Sequence, residues 1–141
     1  MYLDTSYIAK FYFNEPESSR VREVVRSADM IQSSVWALAE FHGVIHRRMR
    51  EGALSDAHAR QLSARFYEHV DAGLWKLIPV HEALLRRTSA LIVSAPPGLF
   101  IRTADAVHLL TAQEAGESEV WTNDRHMLAS ADYFGVTGRS V

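Results

Sequence analysis

Short apolar segments alternate with longer helical segments along this chain of 141 residues, and that alternation constrains its fold more than any other feature. The segments with strand character are Tyr2–Asp4, Met30–Ser33, Leu74–Val80, Glu119–Asn123 and a last one near Val136. The helical segments between them are Ser6–Phe13, Arg20–Ser27, Val35–Arg50, Asp56–Val70, His81–Val93, Ala104–Ala115 and Arg125–Ala131. Hydroxyl residues expected to cap these helices are Ser18, Ser34, Ser55 and Thr103. Strands separated by helices predict an α/β fold, in which helices cover both faces of a parallel sheet in a single domain.

The composition limits which ligands and compartments are open to the chain. It has no cysteine, so disulfides and thiolate metal sites are excluded, and any metal ion must be held by oxygen or imidazole. The net charge of −2 argues against wide coverage of nucleic acid by a basic surface. No apolar segment approaches the roughly 18 residues of a membrane span, and the first strand segment starts at the N-terminus without room for a signal peptide. We therefore expect a cytoplasmic protein with no membrane partner.

Four acidic residues lie within apolar stretches, where a charge is costly. Asp4 ends Met-Tyr-Leu-Asp, and Asp124 ends Val-Trp-Thr-Asn-Asp. Glu40 lies in Val-Trp-Ala-Leu-Ala-Glu-Phe, and Asp105 lies in Thr-Ala-Asp-Ala-Val-His. An isolated buried carboxylate either loses its charge or pairs with a cation. Because ligands of parallel sheets bind at the carboxyl ends of strands, the pattern predicts one shared site for a hard divalent cation.

Each acid also has a purely structural explanation. Asp4 and Asp124 precede predicted helices, where Asp is a favoured N-cap, and Asp105 lies in a first helical turn, where its charge favours the helix dipole. Glu40 differs, because the predicted helix places it in mid-helix on a largely apolar face, where a Glu is rarely buried without a partner. Capping therefore stays open for the three Asp residues, and snorkelling to the surface stays open for Glu40.

Converging carboxylates repel one another unless a cation neutralises them. Mg²⁺ takes oxygen ligands and keeps several waters, which it can activate as nucleophiles while it stabilises charge on a phosphoryl group. The chemistry expected of such a site is hydrolysis of a phosphate ester.

Four segments, in chain order, resemble the PIN domain family and more narrowly the VapC-type toxins of prokaryotic toxin–antitoxin pairs. They are Leu3-Asp4-Thr5-Ser6, Ala39-Glu40, Thr103-Ala104-Asp105-Ala106-Val107-His108-Leu109 and Thr122-Asn123-Asp124. The resemblance covers essentially the whole chain and implies a PIN-like nuclease domain over residues 1–141. It further implies a Mg²⁺- or Mn²⁺-dependent endoribonuclease, commonly a homodimer, that a small cognate antitoxin protein holds inactive.

The same resemblance implies roles for individual residues. Asp4, Asp105 and Asp124 match the family's metal-binding aspartates, and Glu40 matches its glutamate near the metal, which often acts through water. We expect hydrogen bonds to metal-bound water or to the substrate phosphate from the polar residues that match the lining of the same pocket: Thr5, Ser6, Thr122 and Asn123.

Basic residues near the acids are candidates for contact with RNA. Arg102 and Arg125 flank two of the acids, where each could bind an RNA phosphate or pair with a carboxylate. His108 follows Asp105 by one helical turn and is expected to lie in the core or to support the acids. The basic end of the long helix is expected to complement the helix dipole: Arg47, Arg48 and Arg50.

Aromatic residues are assigned mostly to the core. Trp36 and Trp121 lie in an apolar helix and a central strand, which favours core packing over base stacking for both. Phe11-Tyr12-Phe13 and Leu99-Phe100-Ile101 exceed the apolar content that the helix faces require. They are predicted to form an interface with a second copy or with an antitoxin.

Other functions remain open at this point. A PIN scaffold that only binds a protein partner has no need of a tight metal site. A Mg²⁺-dependent phospho-signalling domain needs a mid-chain Asp at a strand end, but Asp56 and Asp71 lie in predicted helices. A phosphatase with a nucleophilic Asp is expected to carry a second Asp two residues later, where Ser6 stands.

Overall fold

Five short strands pair in parallel as one sheet in the computed structural model, which describes residues 1–141. In chain order the strands are β1 (Tyr2–Leu3), β2 (Gln32–Ser34), β3 (Lys76–Ile78), β4 (Glu119–Trp121) and β5 (Thr137–Arg139). The helices are α1 (Thr5–Tyr12), α2 (Ser18–Ser27), α3 (Ala37–Arg50), α4 (Asp56–Asp71), α5 (Glu82–Ser94), α6 (Thr103–Glu114) and α7 (Arg125–Ser130), followed by a 3₁₀ turn at Ala131–Phe134. The predicted parallel sheet is confirmed.

The central strand β1 divides the core into two layers, because successive strand residues point to opposite faces of a sheet. Leu3 packs in a cluster built mainly from α1 to α4, whereas Tyr2 packs in a cluster built mainly from α5 to α7. Both side chains are fully buried. Helices therefore cover both faces of the sheet, as the alternation of strands and helices predicts.

The strand order β3-β2-β1-β4-β5 brings the ends of β1 and β4 together. The chain adds β2 and β3 on one side of β1 and then adds β4 and β5 on the other side. Leu3 pairs in register with Trp121, and the Asp4 N–H donates to the Trp121 carbonyl at 3.1 Å. Ligands of open α/β sheets bind where the strand order reverses in this way. The residues that follow β1 and β4 are therefore placed at one ligand-binding edge.

The start of α3 differs from the sequence prediction. Ser34 belongs to β2 rather than capping a helix, and its hydroxyl accepts a hydrogen bond from the Trp36 N–H. Because α3 begins only at Ala37, Glu40 lies in its first turn and not in mid-helix. The helix dipole therefore also favours the charge of Glu40.

The other helix starts follow the prediction more closely. Ser55 caps α4, and its hydroxyl accepts a hydrogen bond from the His58 N–H. Ser18 and Thr103 are the first residues of α2 and α6 rather than their caps, so those two cap predictions were wrong.

None of the helices is both long enough and apolar enough to cross a membrane.

Two of the aromatic predictions were also wrong. Trp36 is 44% exposed because it lies in the turn before α3, outside the helix face that packs on the core. Phe11-Tyr12-Phe13 is not an exposed patch, because its rings pack against those of Trp75 and Phe41. Trp121 packs against the core as predicted, and Phe100 is 56% exposed.

Gly138 allows β5 to approach α7 closely. A Cβ at this position would lie 2.8 Å from the Leu128 Cδ2 and 3.1 Å from the Leu128 Cα, and the backbone atom cannot turn aside. We expect Gly138→Ala to lower the free energy of unfolding by about 1–3 kcal/mol, the usual cost of overpacking. Urea denaturation followed by circular dichroism measures this change.

Gly43 provides the matched control for Gly138→Ala. Nothing lies within 4 Å of the position that its Cβ would occupy in α3. Since Ala is preferred to Gly inside a helix, Gly43→Ala should raise the free energy of unfolding by about 0.5–1 kcal/mol. Equal stabilities of the two variants would contradict the close approach at Gly138.

Candidate functional site

One cavity of about 430 Å³ collects all four acidic residues. Asp4 follows β1, Glu40 and Asp105 lie in the first turns of α3 and α6, and Asp124 caps α7. The other residues that line the cavity are Thr5, Ser6, Gly43, Val44, Arg47, Arg102, Ala104, His108 and Met127. Acids from four separate segments therefore share one pocket at the carboxyl edge of the sheet.

Asp4 caps α1 and lines the pocket with the same side chain. Its Oδ1 accepts from the Tyr7 N–H at 2.9 Å, the Thr122 hydroxyl donates to its Oδ2 at 2.7 Å, and the Ser6 hydroxyl lies 2.8 Å from both oxygens. Burial raises the pKa of Asp4, and these donors oppose that rise without cancelling it. The charged form is therefore costly in the folded protein.

Glu40 is held by a partly buried chain of hydrogen bonds. The Thr5 hydroxyl donates to its Oε2 at 2.5 Å, and the His108 Nε2 lies 2.8 Å from the same oxygen. The Tyr2 hydroxyl lies 2.9 Å from the His108 Nδ1; with Tyr2 as donor, the Nε2–H points to Glu40. Burial opposes ionisation of Glu40, but the hydrogen bonds from His108 and Thr5 bring the pKa of Glu40 below its ordinary value.

Arg102 joins the other two acids. Its Nε donates to the Asp105 Oδ2 at 2.8 Å, and its Nη2 lies 2.5 Å from the Asp124 Oδ2. Burial raises the pKa of Asp105 despite this partner. For Asp124, burial is outweighed by the Met127 N–H and by Arg102, so the pKa of Asp124 is lowered. Of the two roles considered for Arg102, the structure shows pairing with carboxylates.

The donor set fits a hard cation in its chemistry, but the side chains are not arranged around one. All four acids offer carboxylate oxygens, which suit Mg²⁺ or Mn²⁺. No three carboxylate or imidazole groups stand where they could hold the same ion. The guanidinium of Arg102 lies between Asp105 and Asp124 and supplies the positive charge there.

Three residues predicted for the site do not line the cavity: Thr122, Asn123 and Arg125. The Asn123 Oδ1 accepts from the Tyr7 hydroxyl at 2.8 Å, so the carboxamide ties the loop after β4 to α1. Arg125 is exposed, and its Nε lies 3.3 Å from the His126 Nε2. Thr122 acts through Asp4, since its buried hydroxyl donates to that carboxylate.

Three residues of the site were overlooked in the sequence. Tyr2 reads as an ordinary strand residue, and nothing in its neighbourhood indicates contact with His108. Gly43 and Arg47 line the cavity together with Glu40. The signal for Arg47 was present, because residues seven apart in a helix lie on one face.

A five-stranded parallel sheet with four carboxylates gathered at its carboxyl edge defines an α/β protein with an acidic pocket at the strand ends. The sequence profile of the family described as PIN domain matches residues 1–132, and the chain belongs to that family. Ribonuclease VapC46 of Mycobacterium tuberculosis (strain ATCC 25618 / H37Rv) is a relative at 31% identity over 138 residues. That match covers 96% of this chain and 93% of the relative.

Solved structures show the same fold. The crystal structure of VapC20 from Mycobacterium tuberculosis, a toxin that cleaves the sarcin–ricin loop, superimposes with a TM-score of 0.73 at 15% identity, covering 92% of this chain and 93% of that one. FitAcB from Neisseria gonorrhoeae superimposes with a TM-score of 0.71 at 19% identity, covering 97% and 94%. The arrangement of strands and helices is therefore shared with both proteins.

Arg102→Gln removes the positive charge that Asp105 and Asp124 share. Without metal ions we expect a lower melting temperature, with a loss of about 0.5–1 kcal/mol because the Arg102 side chain is 48% exposed and screened by water. Mn²⁺ should raise the melting temperature of this variant more than that of the wild type, because the ion no longer competes with a guanidinium. Thermal denaturation in EDTA and in Mn²⁺ measures both effects.

Arg125→Gln is the control for Arg102→Gln, since Arg125 flanks the pocket without pairing with an acid. It should leave the melting temperature and the response to Mn²⁺ at their wild-type values. Equal responses to Mn²⁺ in the two variants would show that Arg102 does not compete with a metal ion.

Asp4→Asn tests the raised pKa of Asp4. Burial disfavours the charged form in the folded state, so the metal-free variant should be more stable than the wild type at neutral pH. In the wild type, the stability lost by burying the charged Asp4 is complete above the folded pKa of Asp4 and absent below the ordinary pKa of 3.8. The advantage of the variant should therefore shrink as the pH falls through this window. Thermal denaturation in EDTA measures it, and an advantage that grew on acidification would contradict the raised pKa.

Proposed function

We propose that this chain is a metal-dependent endoribonuclease that hydrolyses RNA phosphodiester bonds and acts as the toxin of a toxin–antitoxin pair. The observation that carries the proposal is the convergence of Asp4, Glu40, Asp105 and Asp124 on one cavity. Membership of the PIN domain family and the relative named as a ribonuclease support it. In this proposal residues 1–141 form a single nuclease domain.

Asp4, Asp105 and Asp124 would hold Mg²⁺ or Mn²⁺, and the bound ion would supply an activated water and neutralise charge on the phosphoryl group. Arg102 must then leave the two carboxylates that it bridges. Both Thr5 and His108 bind Glu40 through Oε2, so Oε1 would be available to accept a hydrogen bond from a water and orient it. Because the pKa of Glu40 is lowered, its carboxylate stays charged at neutral pH for this role.

The polar neighbours keep the acids in position. The hydroxyls of Ser6 and Thr122 fix the orientation of Asp4, and Thr122 also accepts from the Asp124 N–H at 3.0 Å. One threonine therefore links two of the proposed metal ligands. We assign Ser6 and Thr122 this orienting role, and we place Asn123 and Arg125 outside it.

The proposed protein partners are those that the family resemblance implies. A small cognate antitoxin would hold the enzyme inactive, and the working form would be a cytoplasmic homodimer. The exposed Phe100 and the neighbouring residues of Leu99-Phe100-Ile101 remain a candidate contact for either protein partner.

One observation favours an alternative function, in which the protein is a scaffold that binds only a protein partner. Arg102 already neutralises Asp105 and Asp124, so the pocket is electrostatically satisfied there without a metal ion. Calorimetric titration with Mn²⁺ separates the two functions, because the enzyme needs a specific site that Asp105→Asn weakens. A phospho-signalling function lacks support, since Asp56 and Asp71 lie at the two ends of α4 and not at a strand end.

The wild-type protein should cleave single-stranded RNA in Mg²⁺ or Mn²⁺ and should lose that activity in EDTA. Asp4→Asn and Asp105→Asn should each lower the rate by at least about a hundredfold, because several kcal/mol of transition-state stabilisation depend on the metal ion. Gel analysis of labelled RNA fragments measures the rate.

Asp132→Asn is the control for these substitutions, since Asp132 is exposed in the 3₁₀ turn and does not line the cavity. It should cleave at the wild-type rate. Cleavage that persists in excess chelator, or in both pocket variants, would refute the metal-dependent mechanism.

A further inference from the structure

One face of α3 carries chemistry that the proposed metal site does not use. Trp36, Gly43 and Arg47 are spaced four residues before, three after and seven after Glu40, which places all of them on the side of the helix that Glu40 occupies. The hydrogen bond from the Glu40 N–H to the Trp36 carbonyl, at 3.2 Å, keeps Trp36 in phase with the helix. We call this surface, made of Trp36, Glu40, Gly43 and Arg47, the α3 track.

Arg47 is the uncommitted cation of the pocket. The cavity is lined by two arginines, and Arg102 is already paired with two acids. The neighbouring Arg48 pairs with Glu15 and stacks over the Phe13 ring. Arg47 lines the cavity, is exposed and makes no salt bridge. A guanidinium left free beside four carboxylates is positioned to bind an incoming phosphate.

Gly43 keeps the track open between Glu40 and Arg47. A glycine inside a helix lowers its stability relative to alanine, yet here the space that a side chain would fill is empty: nothing lies within 4 Å of the Cβ position. The residue lines the same cavity as Glu40. The gap allows a bulky backbone group, such as a ribose phosphate, to pass close to the helix.

Trp36 lies at the other end of the track, one turn before Glu40. Its indole is 44% exposed instead of being buried in the core, so a ligand can reach it. An exposed indole and an unpaired arginine on one side of a helix are the kinds of group found in sites for single-stranded nucleic acid, where bases stack on aromatic rings and cations pair with phosphates.

We propose that the α3 track carries single-stranded RNA across Glu40, with Arg47 paired to a backbone phosphate and Trp36 stacked on a base. Trp36 and Arg47 are eleven positions apart along the chain, or roughly 16 Å at the rise of an α-helix. The inference rests on the proposed ribonuclease function, because it names the path by which the substrate enters the same pocket.

The test measures binding separately from cleavage. Glu40→Gln is used as the background in Mg²⁺, and the anisotropy of a short labelled single-stranded RNA of mixed sequence reports affinity between about 50 and 200 mM salt. Adding Arg47→Gln should weaken binding and reduce the slope of log affinity against log salt by about 0.7, the value for one lost phosphate contact on a single strand. In the cleavage-competent protein the same substitution should raise KM and leave kcat nearly unchanged.

Arg50→Gln is the matched control for Arg47→Gln. Arg50 lies in the same last turn of α3 and faces the same helix dipole, but it does not line the cavity. It should leave the salt slope unchanged. Equal slopes for the two variants would overturn the assignment of Arg47.

Trp36→Leu should weaken binding by about 5- to 150-fold, the effect of one lost base stack, while the salt slope stays the same. Its control is Tyr67→Leu, since Tyr67 is an aromatic of similar exposure, 46%, on α4. If Trp36→Leu binds RNA like the control, or changes the oligomeric state in size-exclusion chromatography instead, the track is not an RNA path.

Failure of this inference can be told from failure of the proposed function. A wild-type protein that cleaves RNA in Mg²⁺, together with variants that bind RNA normally, would remove only the α3 track. A wild-type protein that cleaves no RNA would remove the ribonuclease proposal, and the binding measurements would still decide whether the track holds a single strand.

Discussion

Repulsion among four carboxylates in one cavity is the constraint on which the rest of the site depends. The acids come from four separate segments, so each is stabilised by its own neighbours. Hydroxyls and the start of α1 hold Asp4, buried His108 holds Glu40, and Arg102 joins the other two. These contacts do not fully compensate for burial, because the pKa of Asp4 stays above its ordinary value. A pocket in this state favours any additional positive charge that can reach it.

His108 and Arg102, the two basic residues that contact the pocket acids, differ in how firmly the structure holds them in place. His108 is 3% exposed and is fixed between Tyr2 and Glu40, so this half of the site is rigid. Arg102 has a side chain that is 48% exposed and bound only to the carboxylates it bridges. A metal ion can therefore replace Arg102 beside Asp105 and Asp124 with little loss of folding stability. A rigid glutamate beside an exchangeable cation position suits a site that must bind an ion and orient water.

Local pattern was enough to predict the layered fold and the gathering of the acids. Alternating strands and helices lead to a parallel sheet, and acids placed at strand ends then meet at one edge. Helix starts were less predictable. Ser34 pairs with β3 as part of β2, so α3 begins after it and Ser34 does not serve as its N-cap. The late start of α3 moved Trp36 out of the core and Glu40 into the first turn. Competition between strand pairing and capping is not visible in local sequence.

The oxygen donors and their order along the chain can be read from short local motifs, because the neighbours of each acid favour a strand end, a turn or a helix start. Which charges meet depends instead on the folded arrangement of the whole chain. Arg102 forms a salt bridge with Asp124, and Tyr2 is hydrogen-bonded to His108, although the residues of each pair are distant in sequence. Arg47 lines the same cavity without a salt bridge. Such contacts depend on the order of strands in the sheet, and that order follows from packing of the whole chain.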